Sequence, residues 1–208
     1  MGKVKTRKVR SDKKRDVKPT ISIELKDCVY RLSYITNTPV QHIVEQICES
    51  GIGSRRVIEY LAPHFRRTVR LNNTLFMGGV DRPLIPKRDP GVTQRISTRF
   101  NQVTFENINT LAYALDVTPS RATGVLLDAT IHSTDFLNVY VRGFLNQQLD
   151  QRRMQELKKV LRFINNNNSS NEHYSWFVFL SNFYDEIKDT ANTVSNSIYD
   201  FLDKWKSY

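Results

Sequence analysis

Cysteine is almost missing from this chain of 208 residues, which has only Cys28 and Cys48. Neither belongs to a CxxC pair, so a disulfide framework is excluded, and both are expected to be reduced, partly buried thiols of an intracellular protein. No run of 18 apolar residues occurs, which excludes a transmembrane helix. The basic start of the chain lacks an apolar h-region, so no secretory signal is expected. His42, His64, His132 and His173 lie far apart, each without a second ligand at a metal-binding spacing. A phosphate-cradling glycine loop, a nucleophile elbow and HExxH are all absent. Tyr140 and Arg142 follow His132 without the spread of arginines and histidines that a strand-transferring tyrosine enzyme needs. The expectation is a protein without catalysis, cofactor or metal.

Acidic charge is also scarce. The chain holds 21 Asp and Glu against 31 Lys and Arg, a net charge of +10, and its pI is about 9.7. Such a balance points to a polyanionic partner, nucleic acid first. The excess is concentrated, however. Residues 1–18 carry nine Lys or Arg against two Asp, a net of +7, while residues 133–208 balance at nine against nine. Residues 1–18 therefore read as a flexible basic arm, with Lys3, Lys5, Arg7, Lys8, Arg10, Lys13, Lys14 and Arg15 available to phosphates.

Hydrophobic residues at 39% and charged ones at 25% fit a globular protein. The periodicity predicts a mainly α fold with short β elements. Residues 19–78 form an N-terminal helical domain with a hairpin. Thr20-Ile21-Ser22-Ile23-Glu24-Leu25 alternates as a half-buried strand does. A helix follows from about Lys26, with Val29, Leu32 and Ile35 on one face. Thr38 is placed as the N-cap of a second helix with Pro39 in its first turn; its apolar positions are Val40, Ile43, Val44 and Ile47. Ser54 caps a third, with Val57, Tyr60 and Leu61, that Pro63 ends. Thr68–Leu71 and Thr74–Met77 around Asn72-Asn73 read as a hairpin. Gly- and Pro-rich residues 79–93 mark a linker and domain boundary.

Gln94–Ile131 carries the clearest pattern. Arg95-Ile96-Ser97-Thr98-Arg99-Phe100 alternates so that Ile96, Thr98 and Phe100 are buried and Arg95, Ser97 and Arg99 exposed. Helix A is expected from Phe105 to Leu115, capped by Thr104 or Asn107, with Ile108, Leu111, Ala112 and Leu115 inward. Thr118 caps helix B, with Pro119 in the first helical position and Ser120 and Arg121 just inside; Ala122, Val125, Leu126, Ala129 and Ile131 line its buried face. Gly124 suggests a close helix crossing at a dimer axis. An edge strand of another α+β domain would show the same alternation at 95–100.

In order of elements, strand phase and cap chemistry, 94–131 resembles the ribbon-helix-helix DNA-binding family (the Arc, MetJ and CopG type), within a module bounded at 94–132. The resemblance implies a homodimer whose strands at 95–100 pair between chains. It also implies base contacts from Arg95, Ser97 and Arg99, phosphate contacts from Thr118, Ser120 and Arg121, and no catalysis. Residues 38–62 resemble a helix-turn-helix more weakly, through Ile47, Gly51, Ile52 and Val57. That reading adds second DNA contacts at Ser54, Arg55, Arg56, Arg66, Arg67 and Arg70, the last three on a wing. The alternatives for 20–51 are a first ribbon-helix-helix, five residues shorter between strand and proline, or a helical domain with no DNA contact.

Residues 133–208 read as a helical packing or oligomerisation region. Phe136, Tyr140, Phe144, Leu145 and Leu149 form one stripe and Met154, Leu157, Val160, Leu161 and Ile164 another, with a break near 146–150. The last helix repeats apolar residues from Phe177 to Trp205 at spacings of three and four, a coiled-coil type of seam over 173–205 that suits a higher oligomer. The expected function is a sequence-specific double-stranded DNA-binding transcriptional regulator, a repressor in its simplest form, in the cytoplasm on the nucleoid and not at a membrane. The alternatives are a DNA-binding accessory protein of a mobile element such as a plasmid or phage, in copy control, partition or a relaxosome, and a non-enzymatic oligomerising scaffold.

Overall fold

The computed structural model describes residues 14–86, 92–133, 136 and 151–166. Its order is β1 (Arg15–Val17), β2 (Thr20–Ser22), α1 (Ile23–Thr36), α2 (Val40–Gly53), α3 (Arg55–Leu61), a 3-10 turn (Ala62–His64), β3 (Val69–Leu71), β4 (Thr74–Phe76), β5 (Thr93–Arg95), β6 (Thr98–Phe100), α4 (Gln102–Leu115), α5 (Pro119–Ile131) and α6 (Gln151–Asn166). The described residues are thus mainly helical with short antiparallel strand pairs.

Two strand–helix–helix units lie inside one chain. In the upstream unit, Ser22 ends the strand because its hydroxyl accepts the Leu25 N–H at 3.2 Å and starts α1. In the downstream unit, Asn101 does the same to the Thr104 N–H at 2.8 Å and starts α4. The offset is 79 residues, from position 23 to position 102. It carries the left-handed C-cap of α1, Asn37 (φ 50°), onto that of α4, Asp116 (φ 56°). It also carries the buried set of α2 onto that of α5. Ile43, Val44, Glu45, Ile47, Cys48, Gly51 and Ile52 correspond one by one to Ala122, Thr123, Gly124, Leu126, Leu127, Thr130 and Ile131.

The strands of the two units pair with each other in two antiparallel ladders that share one register. It runs from Arg15 opposite Phe100, through Asp16 opposite Arg99 and Thr20 opposite Arg95, to Ser22 opposite Thr93. Between these pairs Ile96 donates its N–H to the Pro19 carbonyl at 3.1 Å. The register sets Lys18 opposite Ser97, its own counterpart 79 residues on. Gly51 of α2 likewise meets its own counterpart: a Cβ there would lie 2.0 Å from Thr130 Oγ1. Residues that touch their own counterparts lie on a pseudo-twofold axis, so the ribbon centre and the α2–α5 crossing define one.

Several expectations change. The strand expected between chains at 95–100 finds its partner in residues 15–22 of its own chain. Electrostatics favours that partner, because two copies of the downstream strand in this register would set Arg95 against Arg99 at both ends, whereas the upstream strand offers Thr20 and Asp16. The upstream strand lies at 15–22 and α1 begins at Ile23, not Lys26, so the exposed strand positions are Asp16, Lys18 and Thr20. An alternation continued to Leu25 would instead expose Thr20, Ser22 and Glu24. The gap between strand end and proline is therefore nearly equal in the two units. Lys14 and Arg15 belong to the strand end, while Lys3, Lys5, Arg7, Lys8, Arg10 and Lys13 lie outside the described residues. Pro39, without a side-chain bond, occupies the N-cap of α2 in place of Thr38. Helix α4 starts three residues before Phe105, with Asn101 as its cap rather than Thr104 or Asn107.

One hydrophobic core joins both units, from Val17, Ile21 and Leu32 to Phe100, Leu111 and Ile131. The segment 79–93 therefore does not separate two cores. Its first part is fastened down: Gly79 donates to the Phe65 carbonyl at 3.0 Å and Arg82 to the Ala62 carbonyl at 2.7 Å. Gly124 approaches the β2 backbone, with a Cβ lying 3.1 Å from the Thr20 carbonyl oxygen, and the close helix crossing belongs to Gly51 instead. Val125 and Ala129 are half-buried, and Thr123, Leu127 and Thr130 take the deeper places on α5. On α3, Tyr60 is exposed and Ile58 buried.

The hairpin forms as expected, β3 pairing β4 around Asn72 and Asn73, both at positive φ as a two-residue turn of this twist requires. Helix α6 lies mainly against α1, burying Leu157, Val160 and Ile164. Arg31 pairs with Glu156 between them. Glu156 also accepts from Lys159 at 2.9 Å, and that bond, ahead of Arg31, holds its carboxyl below the usual range. Phe136 is buried. The side chains of Met154 and Leu161, the stripe at 140–149, the break near 146–150 and the seam over 173–205 lie outside the described residues. Among the described residues no helix is long and apolar enough to cross a membrane.

Candidate nucleic-acid interface

The two faces of the ribbon differ sharply. Val17, Pro19, Ile21, Ile96, Thr98 and Phe100 point into the core, while Asp16, Lys18, Thr20, Arg95, Ser97 and Arg99 are exposed. Alternation alone produces this split, because successive strand side chains leave opposite faces. The inner set is anchored by Ile21 and Phe100, both fully buried, and by the Thr98 hydroxyl on the Gln41 carbonyl at 3.2 Å. The outer set carries three cations and one carboxylate.

Along the outer face the pairs are Asp16 with Arg99 and Thr20 with Arg95, and the shared register sets Lys18 across from Ser97 between them. Arg99 Nε donates to Asp16 Oδ1 at 2.7 Å, with both side chains more than half exposed. A guanidinium has five N–H donors, so this bond orients the fork and leaves its terminal amines for another acceptor. Arg95 has no side-chain partner among the described residues. At the ribbon flanks, Arg15 Nε donates to Gln102 at 3.2 Å and Lys26 Nζ to Gln94 at 2.8 Å. Asp16 and Lys18 were not singled out as site residues in the sequence; the signal was present once the strand was begun at Arg15, where Asp16, Lys18 and Thr20 alternate with Val17, Pro19 and Ile21.

The helix start at α5 has the expected cap, Thr118 Oγ1 accepting the Arg121 N–H at 3.3 Å. Ser120 is half-buried in that first turn. The Arg121 guanidinium is used within the chain: it donates to the Pro86 carbonyl and ties the 79–86 segment to α5.

In the second group of basic residues, Arg66 and Arg67 make contacts within the fold. Arg66 and Arg67 donate their backbone N–H groups to the Ala114 carbonyl at 2.7 and 3.3 Å. Arg67 also reaches the Tyr113 carbonyl at 3.0 Å, pairs with Asp116 at 2.7 Å and covers the Tyr113 ring at 4.7 Å. Arg66 lies 3.7 Å from the same carboxylate. Cations at the end of α4 meet its unsatisfied carbonyls and negative dipole end, which explains their place without a phosphate.

Ser54 caps α3 through the Val57 N–H, and Arg55 pairs with Glu59 one turn on at 2.7 Å. Arg56 and Arg70 are exposed. A helix-turn-helix needs a turn of three to four residues, but Gly51 is helical and Ser54 alone separates α2 from α3. The recognition-helix arrangement expected at 54–56 is not what brings these residues together.

Lys14 holds Glu45, nearly buried on α2, at 2.6 Å. Burial pushes the Cys28 thiol up to about 12 and raises Cys48 as well, so both are neutral packing groups. No group of His, Cys, Asp and Glu among the described residues could hold a metal ion. No family model, curated protein or solved structure matches this chain.

Proposed function

We propose that this chain is a sequence-specific double-stranded DNA-binding protein of ribbon-helix-helix type that acts as a transcriptional regulator, most simply as a repressor blocking promoter access. One observation carries the reading: a two-stranded ribbon, fixed from below by the core, presents Arg95, Ser97, Arg99 and Lys18 on its outer face. The B-DNA major groove is about 12 Å wide and admits such a ribbon, and arginine is the side chain that bonds guanine O6 and N7 as a fork. The capped first turn of α5, with Thr118 and Ser120, supplies N–H groups suited to a flanking phosphate. The basic residues before Lys14 supply sequence-independent affinity.

The test is DNA selection from a random duplex library, followed by gel shifts on the selected site. The Arg95→Ala/Arg99→Ala variant is expected to lose about 2–6 kcal/mol of specific binding, at roughly 1–3 kcal/mol for each bidentate contact. Equal binding of that site by the double variant and the wild type would sink the ribbon assignment. Removing residues 2–12 instead lowers affinity for all sequences and flattens the salt dependence, leaving the preferred sequence unchanged.

A further inference from the structure

We propose that one chain by itself fills a complete DNA site and that this site is not palindromic. The inference rests on the DNA-binding reading above and names the kind of duplex it recognises.

The helix bounds and strand register of the two units repeat at one offset of 79 residues, but the reading face does not. The axis passes between Lys18 and Ser97, so the outer residues of the two strands form three counterpart pairs: Asp16 with Arg95, Lys18 with Ser97, and Thr20 with Arg99. In every pair the side chains differ in charge or donor set. The buried counterparts on the same strands, Val17 with Ile96 and Ile21 with Phe100, agree in character. Packing has therefore held the two strands to a common shape, whereas the exposed positions offer each half of a site different chemistry.

Charge makes the two ends of the ribbon unequal. At one end Asp16 holds Arg99 at 2.7 Å and the pair is neutral. At the other, Arg95 stands opposite Thr20 and the end is positive. Duplex DNA with inverted half-sites presents the same base edges to both ends of a ribbon centred on its dyad. A fork-donating arginine oriented by a carboxylate and an arginine beside a threonine do not match identical edges. Arg95 and Arg99 each suit guanine, Asp16 can accept from a cytosine amine, and Thr20 is tolerant. The site thus has guanine contacts at both ends but a different neighbouring step at each, and the complex has a fixed orientation on the duplex.

The deciding experiment is selection from random duplex DNA with the full chain and with a variant whose upstream strand copies the downstream one, Asp16→Arg/Lys18→Ser/Thr20→Arg. Native mass spectrometry of each complex supplies the stoichiometry. The wild type is expected to enrich a sequence without internal twofold symmetry, bound by one chain, and to lose at least about tenfold in affinity on a palindrome built from either half. The variant is expected to enrich a palindrome, still with one chain per site. If its paired arginines lower the melting temperature, Lys18→Ser alone makes the ribbon centre Ser opposite Ser and is expected to symmetrise the central base pairs. A wild-type site that is palindromic and occupied by two chains, each end read alike, overturns the inference while leaving DNA binding intact. Absence of any enriched sequence overturns the DNA reading itself, and the inference with it.

Discussion

The upstream unit, 14–53, and the downstream unit, 93–131, have the same backbone plan and very different surfaces. Their buried positions coincide along the strand and the second helix, from Val17 with Ile96 to Ile52 with Ile131, and differ in the first helix only where Cys28 meets half-buried Asn107 and half-buried Ser33 meets Ala112. Chemical identity was not needed for this: Leu25 faces the core where Thr104 does, and Ile35 where Ala114 does. What had to be kept was the phase of burial, since slipping a strand by one residue turns its whole apolar set to solvent. Outside the core the units diverge. Tyr34 and Tyr113 are counterparts and both half exposed, yet Tyr113 lies under Arg67 while Tyr34 borders a groove shared with Glu156 of α6. The hairpin side of the molecule clasps α4 and the later helix clasps α1, so each unit is completed by a different part of the chain.

The comparison can be broken most forcefully at the strand anchors. Phe100→Ala removes a fully buried ring and is expected to cost about 3–5 kcal/mol of folding stability, and Ile21→Ala at the counterpart position about 2–5 kcal/mol. Denaturant unfolding should show a single transition for both variants, because the two units share one core. Two transitions, one spared by each substitution, would mean that the units fold separately.

A smaller effect is expected at the helix crossing. Gly51→Ala drives a Cβ against Thr130 Oγ1 and should destabilise by about 1–3 kcal/mol despite the better helix propensity of alanine. Adding Thr130→Ala should recover much of that loss. Thermal melts of the single and double variants decide the matter, and no recovery would place the axis elsewhere.

Both thiols belong to the upstream unit, so alkaline pH should discriminate between the units more gently. Their folded pKa values are raised, that of Cys28 to about 12. The folded state therefore keeps protons that the unfolded chain releases above its ordinary thiol range. Stability is full below that range and falls as pH rises through it towards the folded value, by about 2 kcal/mol for Cys28 at pH 10. Unfolding of wild type and Cys28→Ala between pH 8 and 10 measures this: the slope should flatten in the variant. An unchanged slope would show that the thiol is not kept protonated by burial.

Much of the downstream unit was legible in the residues. Alternation over 95–100, the apolar face of α4, the Thr118 cap and the hairpin around Asn72-Asn73 each follow from local chemistry that acts within a few residues. The upstream strand was hidden for a local reason as well. Ile21, Ile23 and Leu25 continue an alternation past Ser22, and only the capping bond to the Leu25 N–H turns Ile23 and Glu24 into the first turn of α1. The repeat was equally hard to see, because Leu32 and Leu111 are among few core counterparts that are identical.

By itself the sequence determined the elements that depend on neighbours along the chain: helices, caps, the hairpin turn, and the phase that leaves Arg95, Ser97 and Arg99 on an open face. Only the tertiary structure decided what that face lies beside. The pairing of 15–22 with 93–100 joins segments more than seventy residues apart, and no local preference specifies it. It follows from a shared core that can bury both strands at once and from Asp16 and Thr20 meeting the two arginines, whereas another copy of the same strand would repel them.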